Sequence, residues 1–358
     1  MRRMLVTGAA GFIGSNFVRY WANRHPEDTI VIVDVLTYAG NMANINDLLS
    51  ASCLFFKADI NDTEFMQSLL REHALDTIVH FAAESHVDRS IETPDAFIEA
   101  NVLGTHSLLK AARKVWQIDQ QAPDFHRFHH VSTDEVYGSL GLDDPAFTEQ
   151  HPYAPNSPYS ASKASSDFLV RAYHHTYGMS VTTSNCSNNY GPYHYPEKLI
   201  PLTIINILHG KSIPVYGNGK NIRDWLHVDD HARGIEKILH AGVPGRTYNI
   251  GGVNEWSNID IVTLVCSTVD EAFRESHALA ARFPDCPAAA GEACNSLISF
   301  VGDRVGHDFR YAIDTSLIKA ELAYEPAVVF EKGIKSTVNW FIENSAWWES
   351  VPSRSCHD

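Results

Sequence analysis

The sequence predicts an α/β fold of Rossmann type, a doubly wound parallel sheet with a smaller, interleaved lobe toward the C-terminus. Three observations predict it. Short apolar runs alternate with longer amphipathic ones through the first half. The first run ends in Gly8-Ala9-Ala10-Gly11-Phe12-Ile13-Gly14 and passes straight into a helical pattern. After Val181–Ser184 the composition turns to Pro, Gly, Asn and Tyr between Tyr190 and Asn221, before helix and strand character returns.

Met4–Thr7, Thr29–Val33, Leu54–Lys57, Thr77–Phe81 and Phe128–Ser132 read as strands, being short and mostly rich in Val, Ile, Phe or Leu. Phe12–Arg24, Thr63–Glu72, Ala96–Trp116 and Ser157–Tyr177 read as helices at the 3.6 period, several opened by Ser, Thr or Pro. Such alternation predicts helices on both faces, right-handed crossovers and ligands at the C-terminal strand ends. Val228–Ala241 and Thr247–Ile250 resume helix and strand. Residues 1–185 are therefore expected to be mainly the dinucleotide-binding domain, with returns around 228–250, and 186–358 mainly the substrate-binding lobe. Ser276–Ser296, Ala-rich with Pro284 and Pro287, is expected to be a surface insertion of short or irregular helix without chemistry.

At 358 residues the length allows two domains or one large unit with a lobe. Hydrophobic residues at 44% and charged residues at 20% argue against disorder. A formal charge of −15 disfavours nucleic acid, so any anion needs a local cluster of cations. The apolar run after Arg2-Arg3 is too short for a signal peptide, and no run is long enough for a membrane span. Six scattered cysteines without a CxxC pair fit reduced thiols in the cytoplasm. The 19 histidines include no HExxH or comparable spacing, so no metal site is expected.

The glycine triplet follows a strand and opens a helix. There Gly8 permits a tight turn, Gly11 lets the backbone approach a pyrophosphate, and Gly14 lets helix pack on strand. Phe12 and Ile13 begin that helix and join the same cofactor set. Asp34 closes the next strand 20 residues after Gly14, where a carboxylate would accept hydrogen bonds from a ribose. No Arg follows it directly to take a 2′-phosphate, which favours NAD over NADP. Asp59 and Ile60, after the third strand, are candidates for the adenine.

Tyr159 and Lys163 are four residues apart and share a helical face. Bringing a phenol from its usual pKa of about 10 to near 7 requires about 4 kcal/mol of phenolate stabilisation, which a lysine and a cationic nicotinamide can supply. Upstream, Ser132 to Gly138 places the Thr133 hydroxyl and the carboxylates of Asp134 and Glu135 at a strand end. Neighbours in a strand point to opposite faces, so for both acids to reach one substrate the chain must leave β geometry at about Thr133. Two close carboxylates titrate apart, one as a neutral acid and the other as a base. A redox centre beside an acid and a base suggests that an alcohol is oxidised so that water can leave from neighbouring carbons.

The chain closely resembles the dTDP-glucose 4,6-dehydratases, extended short-chain dehydrogenases of nucleotide-sugar metabolism. The resemblance rests on TGAAGFIGSNFV (Thr7–Val18), VDVLTYAGN (Val33–Asn41), HFAAESHVDRSI (His80–Ile91), FHHVSTDEVYG (Phe128–Gly138), SPYSASKASSDFLVRA (Ser157–Ala172), NCSNNYGPYHYPEKLIPL (Asn185–Leu202), RDWLHVDDHARG (Arg223–Gly234), YNIGG (Tyr248–Gly252) and GHDFRYAID (Gly306–Asp314). It implies a homodimer using NAD to convert dTDP-glucose to dTDP-4-dehydro-6-deoxyglucose by C4 oxidation, C5/C6 water elimination and hydride return to C6. It also implies that Tyr159 takes the O4 proton with Thr133 bonded to O4, that Glu135 removes the C5 proton, and that Asp134 protonates the departing hydroxyl. Ser85, Asn188, Lys198, Leu199, Pro214, Tyr216, Arg223, Asn258, Arg304 and His307 would hold the nucleotide-diphosphate sugar, with Lys198, Arg223 and Arg304 as the local cations. Phe81, Ala82, Ala83, Ser85 and Asn189 would lie on the cofactor side. Ala100 replaces a usual threonine near the cofactor, and Val305 a usual proline. Rival readings are a UDP-sugar 4-epimerase or decarboxylase, which needs no acid/base pair at 134 and 135, and a silent NAD-binding protein, which would typically lose Tyr159 or Lys163. Helices Ala96–Trp116 and Ser157–Tyr177 are the expected dimer face.

Overall fold

The apolar runs of the N-terminal half become parallel strands β1 (Arg3–Thr7), β2 (Thr29–Asp34), β3 (Cys53–Lys57), β4 (Thr77–His80), β5 (Arg127–Thr133) and β6 (Val181–Cys186). The computed structural model describes residues 1–120, 125–303 and 308–351. Among these, the central sheet has seven strands in the order β10-β6-β5-β4-β1-β2-β3, where β10 is Thr247–Ile250. The order reverses between β1 and β4, which leaves a crevice at their C-terminal ends. Both sheet faces are covered, and the strand period shows it. Met4, Val6, Ile30 and Ile32 join one buried cluster, whereas the intervening Leu5, Val31 and Val33 join the other.

Helix α1 (Phe12–Arg24) covers the first face through Phe17 and Trp21, beside Ile235 and Leu239 of a later helix. On the second face lie α2 (Thr63–Glu72), α3 (Val87–Glu92), α4 (Pro94–Phe97), α5 (Gly104–Arg113) and α6 (Pro158–Tyr177). The long helix expected over Ala96–Trp116 is interrupted. Ile98–Leu103 and Lys114–Ile118 are π-helical turns. At the first, the Asn101 carbonyl accepts from Thr105 Oγ1 at 2.6 Å and from Ser166 Oγ of α6 at 2.7 Å. These hydroxyls compete for a backbone acceptor and accompany the widened turn.

The C-terminal half adds two small sheets. Strands β7 (Asn188–Tyr190), β9 (Ile222–His227) and β11 (Glu255–Ser257) form one, and β8 (Ile213–Tyr216) pairs with β12 (Ile298–Val301) in the other. Helices α7 (Leu199–Leu208) and α9 (Asn258–Glu275) share a core with Tyr190 and the helix Phe330–Glu343. Between them α8 (Val228–Ala241) and β10 return to the central sheet, β10 pairing with β6. Segment 276–296 has the expected short helices, Ala278–Arg282 and the 3₁₀ turns Pro287–Ala290 and Cys294–Leu297. It is less superficial than expected, since Phe283, Cys286 and Cys294 are buried in the second core.

Candidate active site

Two cavities meet at the C-terminal edge of the central sheet. The first, about 560 Å³, runs along the ends of β1, β2, β4 and β5. The second, about 1260 Å³, lies among α7, β8, β9 and the start of α9. Ser85, Glu135, Asn188, Lys198 and Leu199 belong to both walls, as does Trp225.

Gly8, Gly11, Phe12, Ile13 and Gly14 line the first cavity. Gly8 has φ +71°, and a Cβ there would meet Ala82 N at 2.5 Å. A Cβ on Gly14 would meet Gly8 O at 2.6 Å and Ala9 Cα at 2.7 Å, so this glycine closes helix onto turn. Gly11 differs, since its Cβ would touch only Gly8 O, at 3.2 Å. It caps α1 without a side-chain hydrogen bond, leaving helix N–H groups for an anion. Asp34 accepts from Ala10 N at 2.9 Å and Leu36 N at 2.8 Å, so it both braces the turn and presents a carboxylate to the cavity. Burial raises its pKa and these bonds pull it back. Asp59, Ile60, Phe81, Ala82, Ala83, Asn189 and Ala100 line the same cavity. An open backbone cradle, an anion-ready helix start and a carboxylate beyond it fit a dinucleotide.

The catalytic candidates cluster where this cavity reaches β5. Thr133 is the last extended residue, with φ −138° and ψ 151°, and Asp134–Tyr137 is a 3₁₀ turn. The chain therefore leaves β geometry where the paired acids require it. Thr133 Oγ1 accepts from Glu135 N at 3.3 Å, and Gly138, at φ +98°, ends the turn. Asp134 is 2% exposed, and its Oδ2 is buried without a hydrogen-bond partner among the described residues. Burial first, then Glu135 and Asp224, push its pKa well above the usual carboxylate range, against the pull of Arg223. Burial thus favours the neutral form of Asp134, while Glu135 is less buried and faces both cavities.

Helix α6 presents Tyr159 and Lys163 on one face. Its start is fixed by Pro158 and a reciprocal cap in which Ser157 Oγ accepts from Ser160 N and Ser160 Oγ from Ser157 N, each at 3.0 Å. Tyr159 is 8% exposed, and burial, then Glu135, raise its pKa, which the hydrogen bond with Thr133 lowers. Lys163 donates from Nζ to Val131 O at 2.8 Å, and burial lowers its pKa to about 8.

In the second cavity Pro214, Tyr216, Arg223 and Asn258 join the shared wall residues. Arg223 is held by the carbonyls of Ile222 at 2.7 Å and Asp308 at 2.9 Å, and its guanidinium lies 4.3 Å from the Tyr311 ring centre. Lys198 caps the N-terminus of α7. Arg304, Val305 and His307 lie outside the described residues. The structure adds Trp225, Glu197 and Tyr311 to the walls. It also adds Asn101, whose Nδ2 donates to Ser162 Oγ at 2.8 Å and Glu84 O at 3.0 Å, tying α6 to the 81–85 strip. Sequence reasoning missed Asn101; the hydroxyl-rich run from Ser157 to Ser166 is the signal that could have hinted at a polar partner. Away from both cavities, His25, Glu236 and His240 cluster, but Glu236 already accepts from Tyr20 Oη at 2.5 Å and lies 2.7 Å from His25 Nε2, so the cluster reads as a hydrogen-bonded ion-pair network.

The family model described as GDP-mannose 4,6 dehydratase matches residues 5–337. The chain is 50% identical over 353 residues to the dTDP-glucose 4,6-dehydratase of Neisseria meningitidis, covering 98% of this chain and 96% of that one. It is 52% identical to that of Xanthomonas campestris at the same coverage. The crystal structure of the dTDP-glucose 4,6-dehydratase DesIV from Streptomyces venezuelae, with NAD bound, superposes with a TM-score of 0.86 at 44% identity, covering 98% of this chain and 100% of DesIV. The chain belongs to the nucleotide-sugar 4,6-dehydratases and, among them, to the dTDP-glucose 4,6-dehydratase family.

Proposed function

We propose that this chain dehydrates dTDP-glucose to dTDP-4-dehydro-6-deoxyglucose, as a hydro-lyase that uses NAD. The observation that carries the reading is the Asp134–Glu135 turn, where a buried neutral acid adjoins a second carboxyl beside the Tyr159/Lys163 couple. The glycine turn, Asp34, Asp59, Ile60, the 81–85 strip and Asn189 would hold NAD, which when bound would supply the capacity to take a hydride from an alcohol carbon and give it back.

The protein's part is proton handling. Tyr159, as phenolate beside the Lys163 ammonium, takes the O4 proton, and the Thr133 hydroxyl orients O4. Once C4 is a ketone, the C5 hydrogen is acidic, and Glu135 removes it. Asp134, protonated at the start because of its burial, hands its proton to the departing 6-hydroxyl. Arg223 and Lys198, with Arg304 outside the described residues, offset the diphosphate charge that the acidic protein would otherwise repel. Ser85, Asn188, Leu199, Pro214, Tyr216, Asn258 and, outside the described residues, His307 hold the nucleotide sugar.

Residues 1–185, with the return at 228–250, act as the NAD-binding domain, and 186–358 mainly as the sugar-nucleotide lobe. Two copies pair through the Ala96–Trp116 stretch and α6, where Ile98, Leu103 and Phe168 are 47%, 52% and 58% exposed. Sedimentation as a monomer at micromolar concentration would refute that pairing. Among the described residues, five buried free cysteines support a reducing, cytoplasmic setting. No helix among the described residues is long and apolar enough to cross a membrane. Mass spectrometry after incubation with dTDP-glucose tests the activity. Loss of one water supports dehydration, an unchanged mass points to epimerisation or inertness, and loss of carbon dioxide from a nucleotide-glucuronate supplied instead points to decarboxylation.

A further inference from the structure

Asp167 lies one turn beyond Lys163 on α6, is 5% exposed, and has no part in the proton steps above. Its Oδ2 accepts from Ser132 Oγ at 2.9 Å and from Tyr153 Oη at 3.0 Å. Its Oδ1 approaches Nε2 of the fully buried His130 to 3.1 Å, out of line for a hydrogen bond. Val131 and Ser132 are consecutive residues of β5. One holds the Lys163 ammonium through its carbonyl, the other holds the Asp167 carboxylate through its hydroxyl, and the next residue is Thr133.

The groups around this pair come from several elements. His130 of β5 and His80 of β4 are kept neutral by burial, and the Cys186 thiol of β6 is pushed up to about 12. The phenols of Tyr153 and Tyr137 are also raised by burial, and burial favours the neutral form of Asp134. Among the described residues that leaves Lys163 and Asp167 to carry charge behind Tyr159, with the Glu135 carboxyl on its cavity side raising the phenol's pKa. We propose that Asp167 is a positioning residue for the Tyr159/Lys163 couple: its carboxylate, held by Ser132 and Tyr153, keeps Lys163 as ammonium and so selects the phenolate form of Tyr159.

The inference rests on the acid/base reading of Tyr159. The working couple shares one proton, which sits either on the lysine, leaving phenolate and ammonium, or on the tyrosine, leaving phenol and amine. Both forms hold the same number of protons, so bulk pH cannot choose between them. A fixed negative charge on the lysine side can. Burial lowers Lys163 to about 8 and raises Asp167 to about 7, and each is held back by the other's charge. In acid both partners of the couple are protonated and Asp167 is neutral, so its charge has nothing to select there.

The test is the pH profile of kcat/KM for Asp167→Asn, which keeps shape and removes charge. The expected loss is about tenfold near pH 8, as one unit of lysine pKa would give, shrinking to under about twofold near pH 6, with KM little changed. Asp167→Glu, retaining the charge, should keep the wild-type shape of the profile. Tyr153→Phe removes a bond that favours the ionised carboxylate and should reproduce the same pH-dependent loss in smaller measure, which decides the matter if Asp167→Asn does not fold. A loss of equal factor at every pH, or a wild-type profile for Tyr153→Phe when Asp167→Asn does not fold, overturns the proposal. A Tyr159→Phe enzyme that still oxidises the sugar would instead remove the acid/base reading beneath it.

Discussion

The two cavities are built on different principles. The first is walled by the ends of adjacent parallel strands, whose alignment follows from one register: Thr7 sits opposite both Val33 and His80, and Thr133 opposite Cys186. The second is assembled from α7, α9, the 308–311 stretch and strands of two separate small sheets, β8 and β9. The strand ends of the first cavity are thus held by one continuous seven-stranded ladder, whereas the second relies on short two- and three-stranded ladders and on side-chain contacts such as those of Arg223 with the carbonyls of Ile222 and Asp308. Substitutions at the first should be sharp and at the second graded.

The sharpest break is expected at the turn after β5. Glu135→Gln should lower exchange of the C5 hydrogen with deuterated solvent by about 10²–10³-fold, and Asp134→Asn should slow elimination more than oxidation, so that reduced NAD accumulates after substrate is added. Normal exchange, or normal turnover without excess absorbance of reduced NAD, would move those roles elsewhere. Next comes the glycine turn, which separates fold from ligand. Gly14→Ala drives a methyl into the backbone of Gly8 and Ala9 and should cost about 1–3 kcal/mol in denaturant unfolding without ligand. Gly11→Ala should leave that stability nearly intact and weaken NAD binding measured by calorimetry. Equal destabilisation by both would erase the distinction between them.

Arg223→Lys samples the second cavity. The planar guanidinium spans two carbonyls and stacks on Tyr311, which an ammonium cannot do, so KM should rise about tenfold while kcat changes little. A fall in kcat with constant KM would place Arg223 with the reacting atoms instead. The smallest effect concerns stability. Asp134 has a raised folded-state pKa, so the folded protein binds more protons than the unfolded chain above the ordinary carboxylate pKa of about 4, and the buried acid lowers stability as pH climbs. Asp134→Asn should therefore raise the melting temperature at pH 8, with the gain disappearing below about pH 4. A gain that is constant across pH would mean that the side chain's charge is not its cause.

The same contrast sets how far the sequence could be read. Gly8 and Gly14 were legible because each answers a backbone demand that few residues meet, and the departure from β geometry at Thr133 followed from two adjacent acids needing one substrate. The strands β1 to β5 fall within one residue of their expected ends, since β1, β2 and β4 are buried and carry nearly continuous apolar runs. The breaks in Ala96–Trp116 were not legible, because the hydrophobic period continues through a one-residue widening whose partners, Ser162 and Ser166, lie more than sixty residues away. Asp167 hid for a similar reason. On the helix it is one more acid, and its meaning comes from Ser132 and Tyr153, which only the tertiary fold delivers.

Glu135 borders the two chambers at once, as do Ser85 and Asn188. A pyranose parked at that common doorway could exchange protons with several walls without relocating between steps. Such an enzyme would need neither a swinging arm nor a tunnel, and its unsaturated sugar intermediate would have little opportunity to wander off before it is reduced.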